Sequence, residues 1–199
     1  DPYDSWTNAA TNIQAAVDSA APGETVWITN GTYGITNQIV VTNGITLRGF
    51  SGSPADTVVQ RSSGTTRVLW VSHANAVVSG VTITGGSLGN NSAGGGVYLA
   101  AGTMSNSVIV SNAIGGWCNG AGMGGGGIYM GAGTLLVDSR VEANASIKDV
   151  WGIGILNAGG TVRRCTVKRN SYTAQRSTTG GGVFMTAGSL ENCVICSNN

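Results

Sequence analysis

The stretch GGGVYLAAGTMSNSVIVSN, residues 94–112, returns three times further along the chain. It recurs as GGGIYMGAGTLLVDSRVEAN at 125–144, as GIGILNAGGTVRRCTVKRN at 152–170 and as GGGVFMTAGSLENCVICSN at 180–198. Tyr98, Tyr129, Leu156 and Phe184 are separated by 31, 27 and 28 residues, and self-similarity at such periods marks a repeat architecture. Looser copies precede them at Leu69-Trp70-Val71, Ser79-Gly80-Val81 and Ile45-Thr46-Leu47. Within each copy the apolar residues alternate with period two, which is the pattern of a strand. Ile109, Val141, Val167 and Ile195 form one column, and Ser107, Ser139, Cys165 and Cys193 another two positions earlier on the same face. Both columns are expected to point inward. The columns between them, Val108, Arg140, Thr166, Val194 and Val110, Glu142, Lys168, Cys196, are mixed and suit solvent.

A unit of this length, with two or three short strands and glycine turns, cannot close a core of its own. Stacking the units end to end does so, with coils about 4.8 Å apart. The fold class expected is therefore all-β, a parallel β-helix. Helical solenoids have similar periods but need helical segments that this glycine content weakens.

Charges support the same alignment. Glu142 falls over Lys168, Asp138 over Arg164 and Arg163 beside Glu191, cross-strand pairs of opposite sign. Asn112, Asn144, Asn170 and Asn198 share one turn, where asparagine tolerates left-handed backbone and stacked amides can bond from coil to coil. The column Trp70, Tyr98, Tyr129, Leu156, Phe184 is either an exposed stripe or, with the register shifted by one, an internal stack. Cys165 and Cys193 share an inward column, which suits a disulfide and stacked free thiols equally. The glycine runs at 94–96 and 124–127 lack the strand-then-helix setting of a phosphate loop and read as tight corners.

The open top of a solenoid needs a cover. Ala9, Ala10, Ile13, Ala16, Val17 and Ala20 have helical spacing, with Thr7 or Asn8 as cap and Pro22-Gly23 as stop. Thr25 to Thr29 then alternates as the first strand, and Asn30-Gly31 is its turn. The expected organisation is a cap helix with the first coil over 1–35 and β-helix coils over 36–199. No matching cap is visible at the other end, which leaves an uncapped coil suited to end-to-end self-association. A chain starting at Asp1 and ending within a repeat reads as a piece of a longer protein.

The chain has 199 residues, of which 33 are glycine and only 10% are charged. Its formal charge of +1 provides no basic stripe for nucleic acid. With 41% hydrophobic residues it can bury enough apolar surface to fold. No run of apolar residues is long enough to span a membrane.

The segment Ile13 to Tyr33, IQAAVDSAAPGETVWITNGTY, resembles the N-terminal cap and first coil of right-handed parallel β-helix proteins of the pectin-lyase-like superfamily. The GGG-V-Y and C-x-V-x-x-N coils also resemble repeats of large secreted or surface bacterial proteins. The likeness covers almost the whole chain and speaks for fold more than for activity, since this scaffold carries lyases, hydrolases, adhesins and stalks. The resemblance implies an extracellular location. It implies a Lys or Arg base with Ca²⁺-binding acids if the chain is a lyase, and clustered Asp residues if it is a hydrolase. Neither pattern is legible. His73 stands alone in a turn, and the nine acids give no metal spacing. Cys193 and Cys196 form a lone C-x-x-C without a second pair, so neither metal nor cofactor is expected.

Two families of candidates remain. A catalytic pair could assemble from Asp149, Lys148, Asp138 and Glu142 on different coils. The loops where repeat length varies carry Trp117, Trp151 and Tyr172 with Arg169 and Arg176, which either face a polysaccharide or fold back over their own coils. Three readings follow: a non-catalytic extracellular module that holds carbohydrate, a polysaccharide lyase or glycoside hydrolase, and a self-associating fibre unit.

Overall fold

Like lies on like along the inward columns of the later coils in the computed structural model, which describes residues 5–90, 92–115, 123–147, 150–172 and 180–199. Val97-Tyr98-Leu99 pairs in parallel with Leu69-Trp70-Val71 on one side and Ile128-Tyr129-Met130 on the other. Ile109 pairs with Val141, Val141 with Val167 and Val167 with Ile195. The result is a parallel β-helix of about six turns with, among the described residues, one short helix near its start.

Each turn visits three faces. The first begins with strand Thr25–Ile28 and continues through Thr46–Gly49, Val77–Ser79, Thr103–Ser105 and Leu135–Val137. The second runs from Gly31–Ile35 to Val194–Cys196 in seven strands. The third runs from Ile39–Val41 through Leu69–Val71 and Val97–Leu99 to Ile128–Met130. In the last two coils the nine-residue strands Ile155–Arg163 and Val183–Glu191 bend across the corner and serve both the third and first faces. A short ribbon of two-residue strands, Ser87–Leu88, Ala113–Ile114, Ala145–Ser146 and Ser171–Tyr172, follows the second face.

The inward columns are dry. Ile109, Val141, Val167, Met104, Leu136 and Val162 have no measurable exposure. Ser107, Ser139 and Cys165 point in as expected, each hydroxyl or thiol donating to the carbonyl two residues back. Serine and cysteine therefore perform the same local task. Cys165 and Cys193 are free thiols, and burial pushes the Cys165 pKa up to about 11. Val108, expected toward solvent, is buried.

The asparagine column forms a continuous row. Asn112 donates through both its backbone N–H and Nδ2 to Asn144 Oδ1 (3.0 and 3.1 Å), Asn144 to Asn170 Oδ1 (3.1 and 2.9 Å), and Asn170 to Asn198 Oδ1 (3.0 and 2.9 Å). Gly86 N–H donates to Asn112 Oδ1 at the upper end. The left-handed residue is not the asparagine but the one before it: Ser111, Ala143, Arg169 and Ser197 have φ between +52° and +55°. That twist turns the following side chain inward, and Asn112, Asn144 and Asn170 are fully buried. Hydrogen bonds between coils, such as Ala143 N–H to Lys168 O (3.1 Å), hold residues that would not choose this conformation.

The last glycine of each run faces this row. A Cβ on Gly127 or Gly154 would lie 2.7 Å from Asn144 Nδ2 or Asn170 Nδ2 respectively. The glycine runs and the asparagines are therefore two halves of one corner.

Helix α1 (Ile13–Ser19) covers the top and buries Ile13 and Val17. It is shorter than the sequence suggests. Asn12, rather than Thr7 or Asn8, is its cap, accepting from Ala15 N–H at 2.9 Å from an extended backbone. Gln14 extends the cover sideways. Its Oε1 accepts from Val40 N–H (2.7 Å) and its Nε2 donates to Val40 O (3.1 Å), so a side chain stands in for a neighbouring strand at the first edge of the third face. Gly31 opens the second face instead of ending a turn. At the opposite end Leu190, Val194 and Ile195 are 37%, 57% and 44% exposed. No described helix is long and apolar enough to cross a membrane.

Candidate functional site

Two of the acids singled out in the sequence, Asp138 and Glu142, are tied between coils. Asp138 and Arg164, one turn apart, form a two-pronged pair with Nε–Oδ1 and Nη2–Oδ2 both at 2.7 Å. The arginine fork holds the Asp138 carboxyl below the usual carboxylate range and raises Arg164 in return. A carboxylate so held stays ionised and is ill suited to giving up a proton as an acid. Glu142, with 16% of its side chain exposed, lies 3.4 Å from Lys168, 3.7 Å from Arg169 and 4.0 Å from Arg140. Arg163 and Glu191 are register partners, but among the described residues no ion pair joins them. Ser189 donates to Glu191 instead. His73 accepts from Asn75 N–H and closes its own turn. No cluster of metal-binding side chains occurs among the described residues.

The loop candidates divide. Trp117, Lys148, Asp149 and Arg176 lie outside the described residues. Trp151 folds back: its backbone bridges Gly124, and its ring packs on Phe184 with centroids 5.0 Å apart. Tyr172 lies against a small second core of Ile114, Val150 and Ile153. Arg169 is exposed and engaged with Glu142.

The aromatic column does point outward, opposite the buried Val97 and Leu99. Its rings nevertheless stack along the rod. Trp70 and Tyr98 are 4.9 Å apart, and Tyr98 and Tyr129 lie 4.5 Å apart and nearly parallel at 14°. Rings spaced at the coil repeat cover each other's faces and show their edges to solvent. Arg67 closes the upper flank, 5.1 Å from Trp70 and 5.2 Å from Tyr98, while donating to Gln38, Ala93 and Gly94. Its burial lowers it from the ordinary arginine value, as expected of a packed structural cation. Leu156 is fully buried and interrupts the stripe.

A different aromatic group stands free at the capped end. Trp6, Trp27 and Phe50 are 54%, 46% and 55% exposed. Their rings meet edge to face, Trp6 to Phe50 at 5.2 Å and Trp27 to Phe50 at 6.0 Å, which leaves faces open. Trp27 occupies an outward position of Thr25–Ile28, whose burial alternates out and in. Its register partner Arg48 lies 5.4 Å from the ring and is exposed. Trp6 and Trp27 both line a groove of about 810 Å³ between residues 5–21 and the first strand, with Asn12, Glu24, Thr25, Thr29 and Tyr33 supplying polar groups. Flat apolar faces beside a few polar groups can hold a sugar ring, the faces against its C–H bonds and the polar groups at its hydroxyls. Sequence reasoning misses this group. Trp27 is legible as an outward residue, but nothing short of the register links it to Arg48, Phe50 or Trp6.

No known protein-family profile matches the chain, and no curated protein matches it in sequence. Among solved structures, a pectin methylesterase from Aspergillus niger, in deglycosylated form, is similar at 11% identity and a TM-score of 0.42. The likeness covers 98% of this chain and 85% of that one.

Proposed function

We propose that this chain is a non-catalytic β-helix module of an extracellular protein, a rigid rod that holds polysaccharide at its capped end. The observation that carries the reading is the exposed Trp6, Trp27 and Phe50 group beside a groove at that end. Large aromatic side chains left in water at one place mark a contact surface. Support also comes from the acids: Asp138 and Glu142, the described members of the expected catalytic set, are engaged by cations of neighbouring coils. The rival reading is a polysaccharide lyase or hydrolase using Asp149 and Lys148.

Titration calorimetry against soluble neutral and uronate polysaccharides, run beside assays for new double bonds and reducing ends, separates the two. The module reading expects binding without turnover. Trp27→Ala should weaken that binding at least tenfold, and Trp70→Ala, in the edge-on stack, should leave it within twofold. Turnover abolished by Asp149→Ala would establish the enzyme instead.

A further inference from the structure

The rod carries its cations unevenly. Arg48, Arg61 and Arg67 are spread over the early coils, whereas Arg140, Arg163, Arg164, Lys168 and Arg169 crowd onto two successive ones, where Asp138 and Glu142 are the described acids. Asp138 is taken up by the fork of Arg164. Glu142 is then left to answer three cations at once, Lys168 at 3.4 Å, Arg169 at 3.7 Å and Arg140 at 4.0 Å. None of these distances is a close, hydrogen-bonded pair. Glu142 Oε2 accepts no hydrogen bond from any of them, and among the described residues their side chains donate to nothing else. One carboxylate shared in this way neutralises one charge of the three.

The fold holds this surplus in one place. Arg140–Glu142 and Thr166–Lys168 are paired in parallel, with Arg140 and Lys168 at outward positions, and Arg169 stands at the left-handed corner that follows, at φ +55°. The same corner position is Ala143 one coil earlier and Ser197 one coil later, side chains too short to shield it. The side chains of Arg140, Arg169 and Lys168 are 55%, 64% and 30% exposed, so all three are accessible from water. Three cations gathered round one point suit an anion with three free oxygens. A carboxylate offers two. The terminal group of a sulfate or phosphate monoester offers three, each able to accept a charge-assisted hydrogen bond, and guanidinium forks match such groups in shape.

We propose that Arg140, Lys168 and Arg169 form a binding site for a sulfate or phosphate monoester, with Glu142 at its back. The glutamate has two opposed effects. It draws the three cations together, and its own charge competes with the incoming anion for them. The site lies on the second face, coils away from Trp6, Trp27 and Phe50, and does not rest on the sugar reading of that group.

A chemical-shift titration of the full chain by NMR tests it, at low ionic strength where screening is least, with glucose 6-sulfate, glucose 6-phosphate, glucuronate and glucose as probes. Both monoesters are expected to shift the amides of Arg140–Glu142 and Thr166–Lys168. Glucuronate should bind about fivefold more weakly and glucose not at all, and the tighter monoester identifies the natural head group. Arg169→Gln and Lys168→Gln alter exposed side chains, so circular dichroism should be unchanged while monoester affinity falls about tenfold. Arg61→Gln removes the same charge from an arginine that donates to Gly85 O nearer the head, and should leave affinity within about twofold. Glu142→Gln should tighten binding. Monoesters that shift none of these amides overturn the proposal. So does glucuronate binding as tightly as the monoesters, an equal loss in Arg61→Gln, or weaker binding in Glu142→Gln.

Discussion

Gly154 and Gly133 show how differently glycines of two successive repeats are constrained. A Cβ on Gly154 would lie 2.5 Å from Gly182 O and 2.7 Å from Asn170 Nδ2, both deep in the corner. Gly133, at φ +72°, has nothing within 4 Å of its would-be Cβ. Gly154→Ala must therefore displace backbone and break the asparagine row, and overpacking of this kind costs about 3 kcal/mol. Gly133→Ala carries only the backbone strain of a left-handed alanine, about 1 kcal/mol. Urea denaturation of the two variants should place Gly154→Ala well below Gly133→Ala. Equal midpoints would mean that the corner is looser than its contacts imply. The left-handed positions carry a related lesson: asparagine at the turn is readable in the sequence, whereas the role of the residue before it is not. Ser111, Ala143, Arg169 and Ser197 share no side-chain chemistry, because position and not identity places them there.

At the level of elements, α1 is too short to be stable alone. Its seven residues hold because Ile13 and Val17 are buried and Gln14 occupies the edge of Ile39–Val41. Gln14→Leu would leave the Val40 N–H and C=O without their partners. Orphaning part-buried backbone groups costs about 2 kcal/mol. The expected outcome is a drop of that size in thermal or urea stability, with faster amide exchange confined to the first coil. The strands themselves are readable because four copies agree in register and each inward column repeats its chemistry. The candidate site is not. Its members come from the first two coils, where Thr25–Ile28 faces Thr46–Gly49 with little similarity, and from Trp6, which belongs to no periodic segment. The run Trp70 to Phe184 is readable as a column, though not which way it points. That its rings face one another instead of solvent follows only from the spacing of the coils.

For the molecule as a whole, each coil packs mainly on its neighbours, Asn106 Nδ2 alone among the described hydrogen bonds on this corner reaching past one coil to Gly52 O (2.6 Å), so stability is close to a sum of local and nearest-neighbour terms. A coil whose packing is disturbed should open before distant ones. In the Gly154→Ala variant, amides of Ile155–Arg163 are expected to exchange faster than those of Thr46–Gly49, four strands earlier in the same sheet. Uniform exchange along the rod would show that it opens as one unit. The corner glycines and the buried asparagines together also set a rule for how such a gene can change. Between the short ribbon and the third face the number of residues varies: Ile114 and Ile128 stand farther apart in sequence than Ser146 and Ile155. Elsewhere in the last four coils the spacing from strand to strand holds to within a residue. Extra sequence can enter at that one corner without disturbing the stack. Anywhere else, only duplication or deletion of a complete turn preserves the fit, so the protein's length can evolve in steps of one turn, about 4.8 Å each.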